Sequence, residues 1–558
     1  MHVLTSREND CRSCYKCIRH CPTKSISFHD GQASIIFDEC VLCGRCYSVC
    51  PQNCKVIRDD KQIALRLLEN YNCVASIAPS FSSAYHGVSF ASMKKALLEL
   101  GFVDAEETAV GATIIKKQYD EYCQNGKNDV IISTCCHSIN SLIEKHYPDL
   151  SCYLAPFLSP MQAHSLDIKR RNKDVKVIFI GPCIAKKEEA DRYKNPDCVL
   201  TFLELDDLLK EKNIKIEITP FKKEEKTKAR LFPIEGGILK TMDKPNKNRL
   251  YLSFSGMDEC IEALENIKKG DVHNCFIEMS SCEGSCINGP AIPKEKKALV
   301  SSILEIERNA GTKDFDVSKY EKNELTKSFT PVSFPKKEFS IEEIEEVLKK
   351  IGKYKKSDEL NCASCGYPTC REKAKAVLLK KANLEMCLPY LMEKAKSFNE
   401  DIVENTPNGI LLTDENLIVQ LINPALCTLL NLNSKDIVGK DVSSILPVDL
   451  FALALTKQPT RCAHLHLEKY NLYVEASVSY DEKYKSIIGI FRDRTQTHLD
   501  HEKHINDVKA TEKITRDVIE KNMRAVQEIA QLLGESAANT KIALTNLAKT
   551  IEDETNGN

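Results

Sequence analysis

CRSCYKCIRHCP at residues 11–22 returns as CVLCGRCYSVCP at residues 40–51, with the same spacing of four cysteines and a closing proline. Thiolates are soft anionic ligands, and three of them on a tight loop wrap one corner of a four-iron cube. In runs of this spacing the fourth cysteine reaches across to the other cluster. The expected ligand sets are therefore Cys11, Cys14, Cys17 and Cys50 for one centre, and Cys40, Cys43, Cys46 and Cys21 for the second. Any C-x2-C can bind zinc, but two complete runs with a trailing proline make zinc the weaker reading. Cys54, just past Pro51, is expected to be a spare.

The rest of the composition agrees with a metal-rich protein. Of 558 residues, 26 are cysteine and none is tryptophan. The opening MHVLTSREND has no apolar core for a signal peptide, and no apolar run nears the ~20 residues that span a bilayer. Many cysteines without a secretion signal point to metal ligands in a reducing, cytoplasmic setting rather than to disulfides. Lys and Arg number 78 against 80 Asp and Glu, a formal charge of −2, so neither a nucleic-acid nor a membrane partner is expected.

The length predicts three to five domains. The expected fold class is multidomain, α/β and α+β. Residues 1–62 carry the two cysteine runs as a ferredoxin-like domain. Residues 66–305 alternate buried strand-like runs such as VKVIFIGPC (175–183) with amphipathic stretches such as SMKKALLELGF (92–102), the pattern of an α/β domain. Residues 306–338 are charged and read as a linker. SIEEIEEVLKK (340–350) is a capped amphipathic helix leading into Cys362-x2-Cys365-x4-Cys370-x16-Cys387. That set, in a domain over 339–394, resembles the small single-cubane domains of corrinoid and electron-transfer proteins and implies one more 4Fe-4S centre.

Residues 395–496 resemble a PAS domain. NGILLTDENLIVQLINPALCTLLNL gives strand, turn, strand and short helix, and 464–493 reads as three antiparallel strands. Cys462, His464 and His466 lie close enough to ligate a haem there, although a solvated strand face is the commoner meaning of such a pair. Residues 497–558 form a helical, coiled-coil-like tail with an apolar stripe of Val508, Val518, Val526, Ile529, Leu533 and Ala537, which Gly534 is expected to break.

Three dispersed segments, STCCHS (133–138), GPCIAKKEE (181–189) and EMSSCEGSC (278–286), resemble in order the three signatures of FeFe hydrogenases. That resemblance implies an H-cluster: a cubane held by Cys136, Cys183, Cys282 and Cys286, with Cys286 also bridging to a diiron unit that bears carbon monoxide, cyanide and a dithiolate bridge. It further implies that Cys135 passes protons to the dithiolate and that Lys186 donates a hydrogen bond to a cyanide. Two family methionines are replaced here, by Gly181 and by Ser280, so nothing and a hydroxyl stand where thioethers are usual. The glutamates of the usual proton path align loosely with Lys116 and Tyr119, so that path looks absent; Glu235, in FPIEGG, is an alternative relay group with Cys135.

The resemblance implies an enzyme interconverting H2 with protons and electrons, with three additional 4Fe-4S clusters and a ferredoxin-type electron carrier. Separate maturation proteins would supply the diiron unit. The replacements, the downstream cubane and the PAS domain match the sensory subclass, of low turnover. Such a sensor would pair as a homodimer through the terminal helix and act on a kinase or phosphatase. A metabolic ferredoxin-linked hydrogenase and an iron–sulfur scaffold without a diiron site are the alternatives.

Overall fold

The computed structural model describes residues 2–8, 10–125, 128–219, 226–244, 246–293, 298–332, 334, 337–456 and 461–555. The chain divides into two compact units, Met1–Leu391 and Met392–Asn558.

In the first unit the two cysteine runs fold as a repeat. Each feeds a short helix, Lys16–His20 or Arg45–Ser48, and each helix starts from a left-handed residue, Tyr15 (φ 54°) or Gly44 (φ 75°). Strand Leu4–Ser6 pairs antiparallel with Lys55–Ile57, and Ile26–His29 with Gln32–Ile35. Gly44 is required twice over: a Cβ there would sit 2.5 Å from Pro290 Cβ. Its absence lets the second run lie directly on the following domain.

That domain contains two parallel sheets. One has the order Asp104–Glu107, Asn72–Ile77, Val175–Gly181, Cys198–Thr201; the other Leu250–Ser255, Cys275–Ser280, Val130–Ile132. Most of the strands are buried along nearly their whole length, as strands covered by helices on both faces must be. Connecting helices start where polar caps permit: Ser159 with Gln162 and Thr201 with Glu204 form reciprocal capping boxes. The three cysteine signatures all follow the carboxyl ends of parallel strands, the usual place for a site in open α/β sheets.

The expected linker is in part a strap. Ile306 ends a helix (Leu299–Asn309) and is 1% exposed, and Leu325 is 0% exposed. The Leu158 N–H donates to the Leu325 carbonyl at 2.8 Å, and the Lys327 N–H to Pro156 at 3.1 Å. The charged composition concealed three anchors, because Lys327 is held inside by Glu189 at 3.0 Å.

Ser340 caps the helix Ile341–Lys350 as expected, and the Cys362–Cys387 module packs on the N-terminal repeat. Arg19 donates to the carbonyls of Ala363 (3.3 Å) and Ser364 (3.1 Å), Lys24 to that of Gly366 (3.2 Å), and the Phe28 N–H to that of Lys381 (2.9 Å).

The second unit holds a five-stranded antiparallel sheet of order Val419–Ile422, Gly409–Asp414, Ser486–Asp493, Leu472–Asp481, Arg461–Leu467. It closes on an apolar core including Leu411, Phe451 and Phe491. His464 and His466 are exposed while Leu467 is buried, so the two histidines face away from that core; the Cys462 side chain lies outside the described residues. The tail is one helix, Thr495–Thr555, running through Gly534. A glycine costs about 1 kcal/mol relative to alanine in a helix, too little to break a helix of that length. Among the described residues no helix is long and apolar enough to cross a membrane.

Candidate metal centre

Strand Val130–Ile132 delivers Cys135 and Cys136, strand Val175–Gly181 delivers Cys183 and Lys186, and strand Cys275–Ser280 delivers Cys282 and Cys286. Cys135, Cys136, Cys183, Lys186 and Cys286 line one cavity. The four expected cubane thiols stand in one another's electrostatic field. Burial, then Cys183, Cys286 and Cys136, push the Cys282 thiol well above its ordinary value. Four thiols forced together in this way favour a cation that ionises all of them. Among the described residues no three such side chains close on a single-ion site, whereas a four-iron cube needs its thiolates spread over its corners.

The cavity also holds hydrogen-bond donors suited to anionic ligands. Lys186 Nζ reaches the Cys135 carbonyl at 2.9 Å and Glu189 at 2.5 Å. Burial opposes its charge, but Glu189 and Cys183 outweigh that and raise its pKa. Ser80 is 0% exposed, lines the cavity, and its Oγ has no partner among the described residues. A buried hydroxyl without a partner is costly, and a ligand in this space would remove the cost. The residues present therefore fit a cubane with an attached diiron unit. Ser80 was not foreseen; only its place three residues beyond a parallel strand, in APS (78–80), marked it.

Residues 71–290 match the family description "Iron only hydrogenase large subunit, C-terminal domain". Over these residues the chain is similar to the FeFe hydrogenases. Residues 4–51 match a 4Fe-4S dicluster domain, 358–389 a putative Fe-S cluster, and 397–494 a PAS fold. Among solved structures, an FeFe hydrogenase of Chlamydomonas reinhardtii is similar at 15% identity and TM-score 0.37, over 46% of this chain and 91% of that one. The PAS domain of nitrogen regulation protein NR(II) from Vibrio parahaemolyticus is similar at 20% identity and TM-score 0.15, over 17% of this chain and 96% of that one. No curated protein matches.

Within residues 71–290, Cys135 stands among neutral groups on one side. Burial pushes its thiol up to about 12. Its neighbour is the hydroxyl of Tyr119, 3.3 Å from Sγ and 0% exposed, which also accepts from the Thr134 N–H at 2.9 Å. Lys116 is pinned by Asp243 and Asp314 at 3.0 Å each. The two positions that align with the usual proton path are thus a lysine paired with two carboxylates and a buried phenol beside Cys135.

On the other side stands Glu278, which sequence reasoning passed over. It is 3% exposed, lines the same cavity, and accepts from the Leu239 N–H at 3.1 Å. Burial pushes its carboxyl up to about 8, and Glu235 adds to the rise. A carboxyl inside a wholly buried strand was the available signal. Glu235 itself is exposed and accepts from Ser255 Oγ at 2.6 Å.

Gly181 does not leave an empty place. A Cβ there would meet the Phe179 ring at 2.8 Å, so an aromatic edge fills the space expected to hold nothing. Ser280 ends its strand, 8% exposed, in the cavity lining.

The other cysteine sets also gather. Cys46 lies in the field of Cys43, Cys40 and Cys21, and Cys17 in that of Cys11 and Cys14. Cys54, expected as a spare, has its Sγ 3.3 Å from that of Cys50. Cys43 and Cys282 line a shared cavity, and Cys362, Cys365, Cys370 and Cys387 line another.

Proposed function

We propose that this chain is an FeFe hydrogenase of low turnover that reads hydrogen or redox state and signals through its PAS domain. The observation that supports it best is the cavity that joins three of the cubane thiols, Cys136, Cys183 and Cys286, to Cys135, Lys186 and Ser80 while Tyr119 closes the ordinary side of Cys135. A plain cubane needs neither a second thiol nor these donors.

When bound, the diiron unit supplies a metal acid for hydride and a bridging base for the proton. Cys136, Cys183, Cys282 and Cys286 hold the cluster. Lys186 and Ser80 orient its anionic ligands by charge-assisted and neutral hydrogen bonds. Cys135 carries the proton, Glu278 receives it, and Glu235 exchanges it with solvent. A buried thiol and a buried carboxyl in series, the carboxyl pushed up to about 8, conduct protons more slowly than an open water file, which suits a sensor. Cys43 and Cys282 line one cavity, so cubanes held by these residues would exchange electrons across it and with a ferredoxin-type carrier. Separate maturation proteins supply the diiron unit in the cytoplasm. The tail stripe, with Val518 50%, Val526 60%, Ile529 57% and Leu533 65% exposed, pairs with a second copy and presents the signal to a kinase or phosphatase.

Infrared spectroscopy of protein matured with the diiron cofactor tests the cofactor. Carbonyl and cyanide bands with about 18 irons per chain are expected, from four cubanes and one diiron unit. No bands, with about 16 irons, would replace the hydrogenase by a scaffold. Hydrogen exchange over residues 401–555, under hydrogen and under oxidant, tests signalling. Equal protection in both states would return the protein to ferredoxin-linked metabolism, since a switch needs several kcal/mol between its states.

A further inference from the structure

Six lysines are more than nine-tenths buried among the described residues: Lys55, Lys116, Lys187, Lys327, Lys353 and Lys373. Three are held by carboxylates, Lys116 by Asp243 and Asp314, Lys187 by Asp60 and Glu204, and Lys327 by Glu189. The other three meet only neutral oxygens. Lys55 Nζ donates to Ser6 Oγ and the Ala33 carbonyl at 2.6 Å each, Lys353 Nζ to the Asp358 carbonyl at 2.6 Å, and Lys373 Nζ to the Leu384 carbonyl at 3.0 Å. A buried ammonium without a counter-anion costs several kcal/mol. All three stand beside cysteine sets. Lys353 and Lys373 line the cavity of Cys362, Cys365, Cys370 and Cys387, and Lys55 lies in electrostatic reach of Cys17 and Cys46.

The counter-anion these lysines lack is a thiolate-ligated cubane, whose negative charge grows on reduction. A nearby buried cation stabilises the reduced form and raises the potential. N–H···S bonds do not separate the centres, since both regions have them: the Ser25 and Leu42 N–H groups approach Cys21 and Cys40 at 3.4 Å, and the Tyr367 N–H serves Cys365. The fully buried ammoniums do separate them, with two for the single cubane and one for the N-terminal pair, while half-buried Lys24 lies in the field of Cys21 and Cys365 alike.

We propose that the centre at Cys362, Cys365, Cys370 and Cys387 is the electron trap of the chain, the cubane of most positive potential, filled first when hydrogen is oxidised. This rests on the reading of those cysteines as cubane ligands. Each H2 releases two protons and two electrons; the protons leave by way of Cys135, one electron reduces the trap, and the other reduces an N-terminal cubane. The route is short, because Tyr367, 3% exposed, lies in reach of both Cys365 and Cys21. The trap is also placed for signalling in sequence, because Cys387 immediately precedes the helix Leu388–Asn405.

An EPR-monitored redox titration of the iron-loaded full chain tests the order. The first cubane signal to appear on reduction is expected to be the one missing from Cys365→Ser. In Lys373→Gln, which keeps a donor for Leu384, the reduced-to-oxidised ratio of that signal should fall about tenfold at fixed potential, about 59 mV for a one-electron couple. The other cubanes should keep their midpoints. Lys353→Gln should repeat the shift and serves if Lys373→Gln loads poorly. N-terminal cubanes reduced first, or two fully loaded variants with unmoved midpoints, would overturn the trap. If Cys365→Ser removes no signal and no iron, the ligand reading fails and the trap with it.

Discussion

The central cavity of the first unit and the core of the PAS fold use similar secondary structure for opposite purposes. Around the cavity, strands end early and their loops turn thiols, Lys186, Glu278 and the Ser80 hydroxyl into a closed space. In the PAS fold the sheet runs past its core, and what faces inward is Leu411, Val474, Phe451 and Phe491. The first region spends burial on polar groups that are stable only when a ligand completes them. The second completes itself. The contrast locates a ligand-dependent site in one and a self-sufficient core in the other, and damage to one should leave the other working.

The largest effect should come from the PAS core. Phe451 is 0% exposed and packs on Phe491, ring centroids 6.4 Å apart. Phe451→Ala should destabilise that unit by about 3–5 kcal/mol, seen as a separate, earlier melting step in calorimetry. The carbonyl and cyanide bands of the matured chain should not move; if they do, the two regions are not independent.

Cys135→Ala is the reverse cut. It keeps every cubane ligand, yet turnover should fall by two decades or more, the range for a lost proton-transfer group. Far-ultraviolet circular dichroism and PAS melting should match wild type. Turnover near wild type would place the proton exit elsewhere.

Gly181→Met comes next. The Phe179 ring has to swing away from the new Cβ, and overpacking of this kind costs about 1–3 kcal/mol. Adding Phe179→Ala should recover much of the loss in melting temperature. A single variant as stable as wild type would mean that ring moves freely.

Glu278→Gln should lower turnover about tenfold, less than the loss typical of a general acid–base group, because it relays a proton beyond Cys135 and does not meet the reacting atoms. It also has a signature in stability. The carboxyl sits at about 8 in the fold against an ordinary value near 4.5, so between these the folded chain binds the extra proton. Stability therefore falls as pH rises, by up to about 1.4 kcal/mol per unit. The glutamine variant should lose that slope, and its melting temperature should exceed that of wild type most at pH 8.

How much of this was legible depended on range. Cysteine spacing is local chemistry, so Cys11–Cys21, Cys40–Cys50 and Cys362–Cys387 announced their sets. Strand alternation announced the three strands that became Arg461–Leu467, Leu472–Asp481 and Ser486–Asp493. What depended on distant partners stayed hidden. Lys327 reads as linker until Glu189, 138 residues away, is placed beside it. Glu278 reads as part of a cysteine signature until its strand proves buried on both faces, and the space at Gly181 is filled by a residue two positions earlier that no spacing rule would nominate. The three unpaired lysines carry no sequence mark at all.

The smallest effect concerns the tail, where helix length overrides the local propensity of one glycine. Gly534 was expected to divide the helix, since glycine frees the backbone and exposes it to water. Yet Thr495–Thr555 is continuous there, no atom stands within 4 Å of where a Cβ would lie, and the backbone is not left-handed. Alanine therefore meets neither clash nor strain, and the gain should be about the glycine penalty, roughly 0.5–1 kcal/mol. Gly534→Ala should raise the helical signal of the tail and slow its amide exchange on both sides of the substitution, leaving the cavity and PAS sheet unchanged. If protection rises on one side only, residue 534 is a hinge in solution and Ala537 does not continue the stripe of Val508 to Leu533.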